Sequence, residues 1–494
     1  MSERSESGGV GGRPPTRDKT EADKGRVDEG RVDEGRVGGE PGGEGSPPVD
    51  GTAGMRRARV AAAVAAVVLF AAVGAVLALT TPWNPLPGHV PGGRAAADPA
   101  LDFSPAEIAR SRAFDAAVNP PAYAGLLAGL AVVLVLGLTP LGARFIGWAT
   151  ARTRRRPLRV VVATVAVTTL LRLAGLPFGI WSESVLRRYG LSTQSWPAWL
   201  ADQLKSLGVT WVVYTVALLL LYGLIRRFPR YWWTGAASGG FVLVVLVSFI
   251  YPVVVEPVFN DFHSLKQGQL RSDLLAMAKR DGVPVEDVLV ADASRRTTSL
   301  NAYVSGFGST RRIVLYDTLL KSPRPRIESI VAHELGHAKR DDVLWGTLVG
   351  ALGIAGALCL LYLLMTSPRL LRRAGADPGG APGRAPGERG AADPRTIALL
   401  LALVAAGTLL AAPVQNLVSR RIEARADAHA LNLTRDPATF VSMQHELSVR
   451  NISDLSPDAM EYILWMTHPS GPDRIAMARD WARMNRVAVP PPLR

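Results

Sequence analysis

The stretch Arg326-Ile327-Glu328-Ser329-Ile330-Val331-Ala332-His333-Glu334-Leu335-Gly336-His337 follows the punctuation of Pro323 and Pro325 and reads as a helix with proline in its first turn. His333 and His337 then stand one turn apart on one face. That spacing lets two imidazoles bind one tetrahedral zinc and leaves Glu334 beside the metal, where it can take a proton from bound water. Two histidines on a helix also mark an ordinary polar face, so a third ligand is needed to decide. The segment Asn416-Leu417-Val418-Ser419-Arg420-Arg421-Ile422-Glu423-Ala424-Arg425-Ala426-Asp427 offers one. As a helix it puts Glu423 and Asp427 on one face at i, i+4, one carboxylate to coordinate and one to orient a ligating histidine. Surface ion pairs with the neighbouring arginines are the other reading of these carboxylates.

Around these two segments the chain is apolar. Runs long enough to cross a bilayer, about 20 residues each, occur near Val60 to Thr80, Tyr123 to Leu138, Val160 to Leu176, Leu207 to Ile225, Trp232 to Val255, Val343 to Met365 and Ile397 to Val418. This gives about seven spans. The first lies too far from the amino terminus, and is too long, for an ordinary cleaved signal peptide. Arg172 falls inside the third run, where it either faces a protein interior or water-filled cavity, or snorkels from near the span's end.

With 494 residues, 48% hydrophobic and 20% charged, the composition excludes an ordinary soluble enzyme. The net charge of +14 sits largely in arginine clusters beside apolar runs, such as Arg152 to Arg156 and Arg226 to Arg230, which is juxtamembrane placement. Neither a zinc-knuckle pattern nor aromatic-spaced basic motifs point to nucleic acid, so no nucleic-acid partner is expected. Cys359 is the only cysteine, which excludes intrachain disulfides and thiolate metal sites. Residues 1 to 54 hold almost no large apolar side chain, and Gly25-Arg26-Val27-Asp28-Glu29 recurs at Gly30 to Glu34, so a disordered low-complexity tail is expected.

Taken together these residues resemble the type I CAAX prenyl endopeptidases and their bacterial relatives, polytopic membrane zinc metallopeptidases. The likeness extends to Glu256-Pro257-Val258-Phe259-Asn260-Asp261-Phe262, to Leu265, Gly268 and Leu270, to Asn301-Ala302-Tyr303 with Gly306, and to Arg312-Ile313-Val314-Leu315-Tyr316-Asp317-Thr318-Leu319-Leu320. By motif it covers about Val254 to Ile475. It implies a mainly α polytopic membrane protein with a zincin-like domain carrying a small β-sheet, and one zinc per chain held by His333, His337 and Glu423. Glu334 is implied as the catalytic glutamate and Asp427 as the carboxylate behind a ligand. Asn301 and Tyr303 are implied on an edge strand that binds substrate backbone. In His468-Pro469-Ser470-Gly471-Pro472-Asp473-Arg474-Ile475 the resemblance implies that His468 and Arg474 face the reacting carbonyl, although a surface histidine before a turn proline is the other reading. The substrate implied is a peptide or membrane protein, and the surroundings a lipid bilayer, with the oligomeric state left open.

The expected organisation is a disordered tail (1–54), five spans (55–255), a metallopeptidase domain with the histidine helix (256–342) and a sixth span (343–366). A flexible loop (367–395), a seventh span (396–418) and the third-ligand helix with the rest of the catalytic domain (419–494) complete it. A polytopic transporter or structural protein with a non-catalytic metal site is the alternative. Sidedness is contested. Arginine placement puts the metal domain outside the cytoplasm, whereas the resembled enzymes work on the cytoplasmic side.

Overall fold

The computed structural model describes residues 51–306, 308–376 and 390–494. The repeat-bearing tail up to residue 50 and the middle of the expected loop, 377–389, lie outside the described residues. The helices in chain order begin with α1 (Gly51–Thr80), α2 (Pro99–Asp102), α3 (Pro105–Leu138), α4 (Pro140–Ala149), α5 (Arg156–Arg188) and α6 (Trp196–Arg227). Next come α7 (Trp232–Ile250), α8 (Glu256–Phe259), α9 (Gln269–Asp281), α10 (Arg324–Lys339) and α11 (Asp342–Met365). The last are α12 (Pro368–Arg373), α13 (Ile397–Thr434), α14 (Pro437–Arg450), α15 (Ala459–Leu464) and α16 (Gly471–Met484). Among the described residues, seven helical segments are long and apolar enough to cross a membrane, those built on α1, α3, α5, α6, α7, α11 and α13.

The helices outrun their apolar runs. For example, α3 begins at Pro105 with a capping box between Ser104 and Glu107, well before the apolar run at Tyr123. A span's polar ends satisfy its backbone by continuing the helix, and hydropathy alone does not register that. The fifth span likewise continues through a π-helical turn at Tyr251–Val255 into α8, so Glu256 to Phe259 extends the span rather than leading out of it. Pro252 and Pro257 remove two backbone donors here, and the wider turn accommodates them.

The two largest buried cores among the described residues divide the chain's apolar side chains between them. The span bundle packs Val133, Val167, Leu218, Tyr222, Trp232, Tyr362 and Leu399, while Val64, Val67, Leu127, Leu220 and Leu410 stay exposed, as lipid-facing side chains do. The second core, with Leu274, Val288, Ile313, Leu335, Phe440 and Trp481, unites a small sheet with α9, α10, α13, α14 and α16. The sheet has the order β1-β2-β4-β3, from β1 (Phe262–Ser264), β2 (Asp287–Ala291), β3 (Ala302–Ser305) and β4 (Arg312–Tyr316). Strands β2 and β4 are parallel, the other pairs antiparallel, and β3 is an edge strand.

Two sequence expectations need correction. The stretch from Ser367 to Arg395, read as a flexible loop, is structured at both described ends. It forms α12 and the 3-10 turns Gly390–Ala392 and Pro394–Thr396, with Leu371, Ala374 and Ala376 buried. Small residues hid this packing from a search for apolar periodicity. Arg172 is exposed on α5, which excludes a packed interior and agrees with a water-filled cavity or a snorkelling side chain.

Helices α3 and α13 approach closely at Gly137, where an added Cβ would stand 2.4 Å from the Ala402 Cβ and 2.7 Å from the Ala398 carbonyl oxygen. Gly137→Leu is therefore expected to destabilise the bundle by about 1–3 kcal/mol, read as a lower melting temperature in detergent. An unchanged melting temperature would refute the close approach.

Candidate metal centre

α10 is buried along most of its length, with Ile327, Ile330, Val331, Ala332, Leu335 and Ala338 in the core. It packs on α13 at Gly336, where an added Cβ would meet the His429 side chain at 3.0 Å. A Cβ there would press the His429 side chain back by a few tenths of an ångström, and the close approach brings Glu423 and Asp427, buried on α13, against the two histidines. His333 Nε2 lies 3.2 Å from His337 Nε2 and 3.2 Å from Glu423 Oε2, and His337 Nε2 lies 3.5 Å from Glu423 Oε1. The three side chains form a group able to hold a metal ion.

Each imidazole is fixed from behind. His333 Nδ1 donates to Asp427 Oδ1 at 2.8 Å, and His337 Nδ1 donates to Asp342 Oδ2 at 2.9 Å. Those partners select the tautomer whose Nε2 lone pair faces the other ring. Two lone pairs 3.2 Å apart repel unless a cation lies between them. A tetrahedral ion with bonds of about 2.0–2.1 Å needs donors about 3.3–3.4 Å apart, which the three separations match. The residues therefore fit a divalent cation.

The same groups attract protons. Burial opposes a charge on His337, but hydrogen bonds to Asp342 and Glu423 outweigh it and push its pKa up to about 10. His333 is raised too, its bonds to Asp427 and Glu423 overcoming burial. Half-buried Glu334 is raised above the usual carboxylate range by burial, against the attraction of both histidines.

The remaining expected residues gather here in different ways. His468, exposed on the chain after α15, places Nε2 3.3 Å from Glu423 Oε2 and bonds Thr467 Oγ1 through Nδ1 at 2.9 Å. Arg474, expected to face the reacting carbonyl, commits its guanidinium to Asp427, with Nε donating to Oδ2 at 2.8 Å. It is a brace behind His333. Asn301 precedes β3 and accepts from the Ala302 amide at 2.9 Å, while Tyr303 donates to Glu256 Oε2 at 3.3 Å. Two cavities border His333, and one of about 340 Å³ is lined by Asn301, Glu334, His468 and Arg474. The other, of about 400 Å³, is lined by Tyr303, Glu334, His337 and Glu423.

Surface ion pairs do not account for Glu423 and Asp427. Arg420 instead donates to the Tyr462 and Met466 carbonyls at 2.5 and 2.6 Å, fixing the chain that leads to His468, and Arg425 pairs with Asp342. Sequence reasoning missed Asp342, Arg420 and Arg425. An aspartate at the first position of a span reads as a complement to the helix dipole, and nothing in its spacing singles it out.

Comparison with known proteins agrees with this arrangement. The model of peptidase family M48 matches residues 264–482, and that of the CAAX prenyl protease N-terminal region, five membrane helices, matches residues 111–261. The metalloprotease YhfN of Bacillus subtilis is 30% identical over 77% of this chain and 88% of its own. A CAAX prenyl protease 1 homolog of Oryza sativa is 27% identical over 63% and 70% respectively. The crystal structure of S. mikatae Ste24p shares the fold, with a TM-score of 0.65 at 20% identity, covering 88% of this chain and 100% of that one.

Removing either carboxylate behind a histidine frees the imidazole to turn. Asp342→Asn and Asp427→Asn are each expected to weaken binding of a divalent cation about 10- to 100-fold, measured by chelator competition. Wild-type affinity in both would show that these hydrogen bonds do not orient the rings.

Proposed function

Since the chain belongs to peptidase family M48 and is a multi-pass membrane metalloprotease, we propose that it holds one zinc ion through His333, His337 and Glu423 and cleaves extended or membrane-associated peptides. The observation that carries the reading is the donor triangle, with sides of 3.2, 3.2 and 3.5 Å and a glutamate directly after its first histidine. Two nitrogens and one oxygen suit zinc, and three protein donors leave a position open for water. When bound, the ion lowers the pKa of that water and polarises the scissile carbonyl. Glu334, bordering both cavities, takes the proton and returns it to the leaving amine. His468, across the cluster, donates toward the oxygen that becomes negative. Arg474 acts through Asp427, holding it where it fixes His333.

The edge strand β3 borders both cavities through Ala302, with Asn301 directly before it, so an extended peptide paired to its free edge passes the donor triangle. Main-chain pairing of this kind recognises extension rather than sequence. A transporter or structural protein with an inert metal is the weaker alternative, since it gains nothing from a carboxylate beside the open position.

Glu334→Gln is expected to retain zinc and lose peptide cleavage by about 10²- to 10⁴-fold. Undiminished cleavage by a zinc-loaded variant would end this assignment. Acid acts in a known direction, because protons compete for the donors and metal binding releases them. With the His337 pKa raised, the metal-free site is protonated at neutral pH. Apparent zinc affinity is therefore expected to fall as pH falls, by up to about tenfold per unit for each displaced proton. Affinity that does not change with pH would contradict the donor set.

A further inference from the structure

Backbone groups along β3 alternate between its two edges. The Tyr316 amide donates to the Asn301 carbonyl at 3.0 Å, so Asn301, and with it Tyr303 and Ser305, turn their backbone groups toward β4. Leu300, Ala302 and Val304 turn theirs to the opposite edge, with which no described strand pairs. At Leu300 that edge is already taken. The Leu300 amide donates to Asn451 Oδ1 at 2.8 Å, and Asn451 Nδ2 donates to the Leu300 carbonyl at 3.1 Å. One carboxamide thus satisfies both groups that a neighbouring strand would pair. At Ala302 the amide is covered only by the side chain before it, Asn301 Oδ1 at 2.9 Å, and Asn301 is exposed, so that cover can turn aside.

The end of α14 holds Asn451 in this place. Asn451 is the cap residue of that helix, and past it the Ile452 amide reaches the Val449 carbonyl at 3.4 Å and the Ser453 amide the Ser448 carbonyl at 2.9 Å. This pair of closing bonds needs a left-handed residue, for which glycine is the usual choice. Here the residue is Ile452, with φ of 48°. A β-branched side chain is strained there and persists only where its surroundings over-determine it. Ile452 is buried with Phe114 of α3 and with Val185 and Leu191 at the end of α5, so packing against two spanning helices fixes the turn. The carboxamide of Asn451 meets Leu300 from a fixed base.

The position matters because of what lies along the same edge. Asn451 borders the smaller cavity beside the metal centre together with Leu300, Ala302 and His333, whereas Val304 borders the larger one with His337. A peptide strand joined to Val304 and Ala302 passes the donor triangle and next meets the Asn451 side chain. Resting on the reading of β3 as the strand that substrate joins, we propose that Asn451 ends the pairing edge and so determines how far a substrate is held by its main chain on that side of the metal centre. Past Ala302 the peptide finds no backbone partner and leaves the strand.

The test uses the full chain, zinc-loaded in detergent, and fluorescent alanine peptides that carry a hydroxamate at one end or the other, so that the metal fixes their register on each side. Each peptide amide is N-methylated in turn and the dissociation constant measured. In the wild type, alternate amides are expected to matter, each methylation weakening binding about 2- to 10-fold. Toward Leu300 the series is expected to stop at the amide that meets the Ala302 carbonyl. Asn451→Ala is expected to add one sensitive amide, two residues farther on, in that series alone. Should this variant fail to fold, Asn451→Asp, which still accepts from the Leu300 amide but leaves its carbonyl open, is expected to add the same one. A wild-type pattern that continues past Ala302, or variants that add no sensitive amide, would overturn the assignment. So would an equal loss of affinity for every peptide, which would make Asn451 a brace for β3 and nothing more. Peptides that fail to bind, or that bind with no alternation in either series, would instead overturn the substrate-strand reading beneath it.

Discussion

The contact between α10 and α13 at Gly336 is the constraint on which the candidate centre depends. It sets how near a carboxylate from one helix comes to two imidazoles of the other, and a side chain at 336 would press on His429 of α13. The approach also concentrates charge. Glu334, Glu423, Asp427 and Asp342 surround the two histidines, while Arg474 and Arg425 pair with the last two. Four negative charges against two positive leave two negative when the imidazoles are neutral, which is the charge a divalent cation balances. The arginines therefore hold Asp427 and Asp342 without competing for the donors that face the centre.

Much of this was legible because it is written in helical spacing. His333 and His337 at i, i+4, and Glu423 and Asp427 at the same interval, declare a shared face before any tertiary contact is known. The residues that hold them in place carry no such mark. Asp342 reaches His337 because α11 starts directly after α10, and Arg420 reaches the Tyr462 and Met466 carbonyls across 42 and 46 residues. Arg474 was legible as part of the site but not in its role. Only the position of Asp427 determines whether its guanidinium faces substrate or braces a histidine.

The spans were legible in number and imprecise in extent for a related reason. Hydropathy registers where lipid contact requires apolar side chains, whereas the helix continues until its backbone groups find caps. Thus α3 begins at its Ser104 cap and α13 runs on past its apolar half to carry Glu423. Around Ser367 to Arg395 the error ran the other way. Glycine, proline and alanine suggested a loop, yet Gly375 packs against Pro140 and Leu371 is buried.

Two of the membrane spans terminate in the candidate centre itself. Asp342, the first residue of α11, holds His337, and α13 continues from its span directly into Glu423 and Asp427. A site on mobile loops would stand at no fixed height above the bilayer. One hung from two spanning helices stays within a turn or two of the membrane surface, because neither helix can slide without exposing apolar surface to water or burying charge in lipid. Under the proposed function, substrate comes to the centre at the membrane, as an extended segment lying against β3. Anything that shifts the far end of α13 acts on Glu423 through a single helix of 38 residues.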